Sequence, residues 1–543
     1  MLGDTFVAWK VLYPVRERVH ISKRLVNGLG LGSVTAQQGV EGFHEGGGLS
    51  AFIGTCSRYL RALMEQLLNL IDGELRPAAS GAWLDVHAPA TGEVYAQLPD
   101  SDERDVEAAV EAAHRAFPAW NALGREGRST ILLKLAQLIE DDLDGFVHDE
   151  SRDNGKPLSL ARRVDIPRAV ANFRFFATAI LHFPSEAHLM DDVAVNYTDR
   201  QPFGVAGCIS PWNLPLYLFT WKIAPALAAG NCIVAKPSEV TPLTAYRMST
   251  LCKAAGIPPG VLNIVHGLGP KVGAAITVHP RIPAISFTGG TRTGAEIARV
   301  AAPMFKKLSL ELGGKNTVLV FADCDFEEML KTTVRSSFTN QGQICLCGSR
   351  ILVERSILPR FRDAFVQRVK ALRVGDPADP SSDLGAVVSK DHMAKVLAYI
   401  DLAKAEGGMV LCGGERVQLS GALKDGWYIA PTVIEGLGPN CRTNQEEIFG
   451  PVVTIQSFDT EKEALSLANA TPYGLASVLW TSDLKRTHRI ARALQSGIVW
   501  VNCWMVRDLR TPFGGMKQSG VGREGGVEAL RFFTEAKNVC IKL

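Results

Sequence analysis

Cys345 stands in Asn340-Gln-Gly-Gln-Ile-Cys-Leu-Cys347, a polar, glycine-containing lead into an apolar stretch. A thiol near a helix N-terminus has its thiolate favoured by backbone dipoles, as a nucleophile requires. A small buried hydrophobe is the other reading of a cysteine in that setting. Glu311 lies in Leu310-Glu-Leu-Gly-Gly-Lys-Asn316, where burial among apolar residues would raise its pKa and suit it to general-base work. A paired or solvated acid fits the same spacing. Asn213, in Ser210-Pro-Trp-Asn-Leu-Pro215, could offer its amide to a developing oxyanion or hold a turn beside the prolines.

A second group of residues suits a phosphate-bearing ligand. Gly267-Leu-Gly-Pro-Lys-Val-Gly273 is one residue longer between its last two glycines than the dinucleotide fingerprint. Gly289-Gly290 follows an apolar run and leads toward a helix expected near Thr293, which would aim backbone N–H groups at a phosphate. Lys236-Pro-Ser-Glu239 ends another run. A carboxylate there can accept hydrogen bonds from both ribose hydroxyls and would repel a 2′-phosphate, favouring NAD over NADP. A surface ion pair between Lys236 and Glu239 is the alternative.

These residues need a scaffold, and the periodicity supplies one. Ser101 or Asp102 can cap a helix with Val106, Val110, Ala113 and Phe117 on one face, and Leu132, Leu135 and Ile139 mark a second. Short apolar runs at Cys232–Ala235, Val261–Val265, Ile285–Thr288 and Val318–Phe321 alternate with helical stretches, which implies βαβ units and a parallel sheet covered on both faces. Between Asp192 and Asp199 the residues Val193, Val195 and Tyr197 alternate with polar partners, the pattern of a half-exposed antiparallel strand that could serve a subunit interface. Phe52 to Leu70 reads as a possible helix. Residues 1–63 read as a flexible extension or a start assigned too far upstream, with eight glycines between Asn27 and Gly48.

Composition excludes several classes. With 58 Lys+Arg against 56 Asp+Glu, 46% hydrophobic and 21% charged residues over 543 positions, the chain has no electrostatic footprint for nucleic acid or an anionic membrane. Gln201 to Trp221 is uncharged, but Gly204, Gly207, Pro211, Asn213 and Pro215 interrupt it, so it reads as strand, loop and helix start rather than a membrane span. Eleven scattered cysteines suit a reducing cytoplasm, and no ligand spacing calls for a metal.

Taken together, Pro211-Trp-Asn213, Lys236-Pro-Ser-Glu239, Phe287-Thr-Gly289, Leu310-Glu-Leu-Gly-Gly314, Gly342-Gln-Ile-Cys345, Glu447-Ile-Phe-Gly-Pro451 and Pro512-Phe-Gly-Gly515 resemble the NAD(P)-dependent aldehyde dehydrogenase superfamily over nearly all of Met64 to Leu543. The resemblance implies an α/β fold with a Rossmann-like cofactor domain at 64–313, bearing an oligomerisation hairpin at about 187–202. A catalytic domain at 314–513 and a C-terminal return at 514–543 with an oligomerisation strand complete it, in a homodimer or homotetramer. It implies Cys345 as nucleophile, Glu311 as general base, and Asn213 with the Cys345 N–H as oxyanion hole. Trp212, Lys236, Ser238, Glu239, Gly269, Gly289, Gly290, Glu447 and Phe449 would hold NAD, although Gly290 lacks the hydroxyl that many relatives carry there.

Val164 to Phe176, Asn213 to Leu218, Asn340 to Cys347 and Asn502 to Asp508 are most similar to the branch of the family that oxidises 2-aminomuconic and 2-hydroxymuconic semialdehydes. That similarity implies a substrate tunnel holding Arg168, Arg507 and Phe513, in which two guanidiniums clamp a carboxylate remote from the aldehyde. Arg163 and Arg510 are neighbouring competitors. 2-Aminomuconate 6-semialdehyde of tryptophan catabolism through kynurenine is the expected substrate, with the hydroxy analogue or a broad set of aliphatic aldehydes as alternatives. A non-catalytic protein retaining the fold is the reading of another class, and it has no need for Cys345, Glu311 and Asn213 together.

Overall fold

Five parallel strands form the centre of an eight-stranded sheet in the order Lys307–Glu311, Ala284–Thr288, Val205–Ile209, Cys232–Lys236, Leu262–Ile264. The structure is a computed structural model and describes residues 65–543; the extension read at 1–63 lies outside the described residues. Numbered along the chain, the strand order is 5-4-1-2-3. The direction of winding therefore reverses between Val205–Ile209 and Ala284–Thr288, and a crevice opens beyond the carboxyl ends of those two strands. Every residue of these two strands and of Cys232–Lys236 is buried, which explains their unbroken apolar runs. Short antiparallel strands border the sheet: Gly520–Val521 on one side, Asn69–Ile71 and Glu74–Arg76 on the other.

A second, seven-stranded sheet runs Met409–Cys412, Thr432–Glu435, Val452–Phe458, Arg350–Glu354, Thr317–Val320, Ala476–Trp480, Ile498–Val501, parallel except for its first member. The chain passes from one sheet to the other through Leu312 to Asn316, directly after Glu311. A third, antiparallel sheet sets Glu535–Lys542 against Ala194–Gln201, which also pairs with Ala187–Met190. The alternating segment expected at 192–199 is thus a strand from Ala194 to Gln201, with Asp192 and Val193 in the turn before it. Val193 and Tyr197 remain exposed, and all but one residue of Glu535–Lys542 are exposed as well.

The helix over Glu103–Ala122 starts at a complete capping box made by Asp102 and Asp105, and Val106, Val110 and Ala113 face the core while Phe117 packs at its margin. Leu132, Leu135 and Ile139 are fully buried on the next helix, Gly124–Asp141. Two expectations are corrected. The helix placed over Phe52 to Leu70 is not formed where the structure describes it: Glu65–Gln66 and Asn69–Ile71 are strands, the latter with all three residues buried against Leu262–Ile264, because tertiary pairing overrides an ambiguous short apolar run. The helix expected near Thr293 begins at Thr291, since Gly290 is extended and serves as its N-cap. Among the described residues no helix is long and apolar enough to cross a membrane.

Candidate active site

A cavity of about 270 Å³ lies at the point where the winding of the first sheet reverses. Its walls come from the carboxyl ends of the two central strands, through Pro211, Trp212 and Asn213 on one side and Thr288, Gly289 and Gly290 on the other. Cys345, Glu447 and Phe449 close it from the second sheet's side. Residues scattered over more than two hundred positions thus meet in one crevice.

The loop carrying Cys345 is tightly specified. Asn340, Gln341 and Gly342 all have positive φ, a run of left-handed residues that persists only where surroundings impose it. Asn340 Nδ2 donates to the carbonyl of Asn213 at 2.8 Å, Gln341 Nε2 to Ala386 O at 2.6 Å, and Gln343 Oε1 accepts the Val388 N–H at 3.0 Å. Asn316 Nδ2 holds the Cys345 carbonyl at 2.6 Å, and Trp504 Nε1 that of Leu346 at 2.9 Å. Here the expectation of a helix N-terminus fails: Cys345 sits in a turn between the short helical turn Thr339–Gly342 and the strand Arg350–Glu354, so no helix dipole favours its thiolate. Burial, with the carboxyls of Glu447 and Glu311 nearby, instead pushes the thiol well above its ordinary pKa, and only Arg507 pulls the other way to any notable extent. At rest Cys345 is a thiol.

Gly342 also permits a close approach, because a Cβ there would overlap the Gly450 carbonyl. We expect Gly342→Ala to destabilise the fold by about 2–4 kcal/mol, the cost of a left-handed alanine plus the overlap, and to reduce turnover by displacing Cys345. Denaturant unfolding monitored beside kcat checks both.

Glu311 is buried at the end of its strand, 3% exposed, and neither carboxyl oxygen has a hydrogen-bond partner among the described residues. Burial and the neighbouring Glu524 drive its pKa far up, against the opposing charges of Lys222, Arg523 and Arg507. Lys222 and Glu524 form a buried ion pair at 2.8 Å, with Ser286 hydrogen-bonded to both. Nothing in the sequence pattern singled out that pair. Asn213 Nδ2 donates one hydrogen bond to Gln343 O at 2.9 Å; an amide has two N–H groups, which leaves the other for the cavity that Asn213 lines.

Glu447 reaches over Gly313, where any side chain would collide with its carboxylate, and Oε1 accepts the Gly314 N–H at 2.9 Å. Trp212 meets Phe449 edge-on at 5.2 Å and His392 at 5.0 Å, and His392 Nε2 lies 2.7 Å from the Phe449 carbonyl. Burial lowers the His392 pKa to about 4, so the ring is neutral. His392 and Lys395 line the cavity and were missed, because neither falls in a recognisable motif.

The remaining cofactor candidates lie along the same sheet edge. Glu239 and Gly269 line a second cavity of about 830 Å³ with Phe287, Arg292 and Glu296. Lys236 Nζ bonds Glu239 Oε2 at 2.8 Å. Burial opposes ionisation of Glu239, yet the Lys236 ammonium and hydrogen bonds, including one from the Gly269 N–H, hold its carboxyl below the usual range. The ion pair thus leaves an ionised Glu239 carboxylate on the wall of that cavity. Ser238 is buried and caps the Val240 N–H with its hydroxyl, and it lines neither cavity. A Cβ built on Gly269 or Gly290 would meet nothing within 4 Å, and the buried Thr288 hydroxyl at the first cavity has no partner. Open backbone beside the Thr291–Ala301 helix, whose N-cap Gly290 has no side chain to cap it, and a carboxylate one cavity away fit a dinucleotide.

Arg168 and Arg507 come together as the sequence suggested, on aromatic supports it did not reveal. The Pro215–Ala229 helix presents Tyr217 and Trp221 one turn apart. Arg507 Nη1 bonds the Tyr217 hydroxyl at 2.6 Å, and its guanidinium stacks 4.0 Å from the Phe513 ring and 5.5 Å from Trp221. Arg168 lies 5.4 Å from Tyr217 and 5.5 Å from Trp221, with Nε on Asn172 Oδ1 at 3.3 Å and Nη2 buried without a partner. Burial foremost, and the Arg507 charge as well, lower the Arg168 pKa. The competitors are occupied elsewhere: Arg510 pairs with Asp508 at 2.6 Å in solvent, and Arg163 donates to Ser159 O.

The sequence matches the Aldehyde dehydrogenase family over residues 76–539. It is 53% identical to a 2-aminomuconic semialdehyde dehydrogenase of Danio rerio, covering 88% of this chain and 98% of that protein. A 2-hydroxymuconic semialdehyde dehydrogenase of Pseudomonas sp. (strain CF600) is 46% identical over 88% of this chain and all of its own length. An NAD+ complex of an aldehyde dehydrogenase from Bacillus cereus is similar in structure with a TM-score of 0.86 at 38% identity, covering 89% of this chain and 98% of that one.

Proposed function

The chain belongs to the aldehyde dehydrogenase family, and on that premise we propose that it oxidises a semialdehyde bearing a remote carboxylate, 2-aminomuconate 6-semialdehyde, to the acid with NAD. The observation that carries the substrate reading is the pair of guanidiniums, Arg168 and Arg507, for which no carboxylate lies within 4 Å among the described residues, and whose buried Nη2 on Arg168 lacks any acceptor. Two cations held side by side on aromatic rings repel each other until an anion joins them, and a carboxylate matches the fork of a guanidinium. The higher identity to the amino-named relative than to the hydroxy-named one supports the amino substrate.

The chemistry follows from the groups around the thiol. Cys345 loses its proton to a base and its sulfur adds to the aldehyde carbon, forming a C–S bond and an oxyanion that the free Asn213 amide N–H and the Cys345 N–H hold. NAD, when bound, would supply the acceptor for the hydride that leaves as the oxyanion collapses to a thioester. Glu447, Phe449 and Trp212 line the part of the cavity suited to the nicotinamide ribose and ring, while Lys236 and Glu239 suit the adenosine ribose. Glu311 then takes a proton from water, the water oxygen adds to the thioester carbon, and the C–S bond breaks. The Lys222–Glu524 pair, adjacent to Glu311, is placed to pass that proton onward. The exposed strand Glu535–Lys542 and its hairpin partner suit strand addition between subunits of a homodimer or homotetramer.

We expect Arg507→Ala to lower kcat/KM for carboxylated semialdehydes about 100-fold, the loss of about 3 kcal/mol from a desolvated charge-assisted contact, mainly through KM, while a neutral aldehyde of similar length changes less than threefold. Steady-state kinetics on the matched pair test this. Equal losses on both substrates would reject the clamp.

A further inference from the structure

Lys156 is fully buried, and its ammonium lies among acceptors from three separate segments. It is 2.7 Å from Asp165 Oδ2, 3.2 Å from the main-chain oxygen of Asn213 and 3.5 Å from Glu150 Oε1. The Glu150 and Asp165 side chains are likewise without exposure. Asp165 closes the turn Ala161–Asp165 that leads into the Ile166–Ala179 helix. Glu150, on the helix Leu143–Asn154, accepts the Leu216 N–H at 3.3 Å just beyond Asn213. Removing an ammonium and two carboxylates from water costs several kcal/mol per ion, roughly what their mutual attraction returns, so the cluster is a poor way to gain stability.

What it does gain is orientation. The Asn213 carbonyl receives Lys156 Nζ, Asn340 Nδ2 at 2.8 Å and Asn154 Nδ2 at 3.4 Å. Three donors on one carbonyl exceed its two lone pairs and pin the peptide plane between the parts of the fold that carry them. With that plane fixed and one side-chain N–H tied to Gln343 O, the direction of the other is fixed as well. The charged member dominates, because hydrogen bonds from an ionised donor are about twice as strong as neutral ones.

We propose that Lys156 is a positioning residue for the reaction: its ammonium, anchored by Asp165, orients Asn213 so that the free amide N–H meets the oxyanion formed at Cys345. The inference rests on Asn213 as the oxyanion donor. A displacement of a few tenths of an ångström at that amide acts on the transition state and not on cofactor binding.

The test is a double-mutant cycle in the full-length enzyme with Lys156→Met, Asn213→Ala and the combined variant, with kcat normalised to alkylatable Cys345. Lys156→Met should lower kcat about 50-fold with KM for NAD unchanged, somewhat less than the roughly 100- to 1,000-fold lost with an oxyanion donor itself. The combined variant should fall no more than twofold below Asn213→Ala alone, since orienting an absent amide has no effect. Losses that multiply would mean that Lys156 acts independently of Asn213, and kcat within threefold of the parent would show no positioning; either overturns the inference. If Asn213→Ala itself keeps full kcat, the oxyanion reading fails and takes the inference with it, whereas a damaged Asn213→Ala beside an intact Lys156→Met sinks the inference alone. Lys156→Arg, which keeps the charge and shifts it, gives the same cycle if the methionine variant does not fold: about a tenfold loss, absent in the Asn213→Ala background, is expected, and parental kcat overturns the proposal.

Discussion

Replacing Cys345 by alanine should abolish aldehyde-dependent NADH formation, lowering kcat by about 10,000-fold or more, the scale seen when a covalent nucleophile is removed. No neighbouring group can substitute. Cys347 is buried, and its thiol, pushed up to about 12 by burial, faces the Thr339 carbonyl rather than the cavity. The loop should keep its shape, because none of the contacts that pin it uses the Cys345 side chain: Asn316 holds the Cys345 carbonyl, Trp504 that of Leu346, and Gln341 and Gln343 bond the main chain of Ala386 and Val388. NAD affinity measured by fluorescence quenching should therefore stay within a fewfold of the parent. That combination, lost turnover with retained cofactor binding, separates chemistry from folding. Unchanged NADH formation would instead favour a non-catalytic protein that keeps the fold.

Much of this site could be read from residue types alone. Cys345, Glu311 and Asn213 each sit in a short distinctive string, and local spacing already suggests that Gly290 opens a helix N-terminus; Glu447 entered through the resemblance, and only the fold shows that Gly313 makes room for its carboxylate. The alternation of apolar runs and helices foretold the parallel sheet because a strand buried on both faces has no polar residues to interrupt it.

What escaped notice depends on distance in space rather than in sequence. Lys156, Glu150 and Asp165 look like ordinary surface charges until the fold buries all three beneath Asn213. Lys222 and Glu524 are 302 positions apart. Tyr217 and Trp221 read only as the start of an apolar helix, yet they are the shelf on which both arginines rest. The misplaced helix dipole at Cys345 has a local cause: consecutive left-handed residues at Asn340 and Gln341 are rare outside glycine, so a polar stretch that resembles a helix start becomes a turn instead.

Glu311→Gln should lower steady-state kcat about 1,000-fold, within the range that general-base catalysis contributes, while leaving the first turnover of NADH comparatively intact. The reason lies in the order of steps. Hydride transfer precedes hydrolysis, so an enzyme unable to activate water accumulates the Cys345 thioester after one cycle and shows a burst. The glutamine keeps the volume of a side chain whose oxygens have no hydrogen-bond partner, so folding should not suffer. The pH dependence has a definite sign. Burial and the Glu524 charge raise the Glu311 pKa well above that of a free carboxyl, so the neutral acid predominates at low pH and the active carboxylate forms only as pH rises. Deacylation in the parent should climb with pH through that raised pKa, and a carboxylate generated there is a stronger base than an ordinary glutamate once formed. In Glu311→Gln this limb should vanish from deacylation, in which Cys345 is held as the thioester, while the burst that forms the thioester should still rise with pH as the Cys345 thiol, whose pKa is also elevated, ionises. Because the two groups interact in the free enzyme, the parent profile for thioester formation reports macroscopic values of the pair, and the variant is what assigns them. Rapid-mixing measurements of NADH absorbance from pH 6 to 10 decide the matter: a variant with no burst and the parental pH profile would remove Glu311 from hydrolysis.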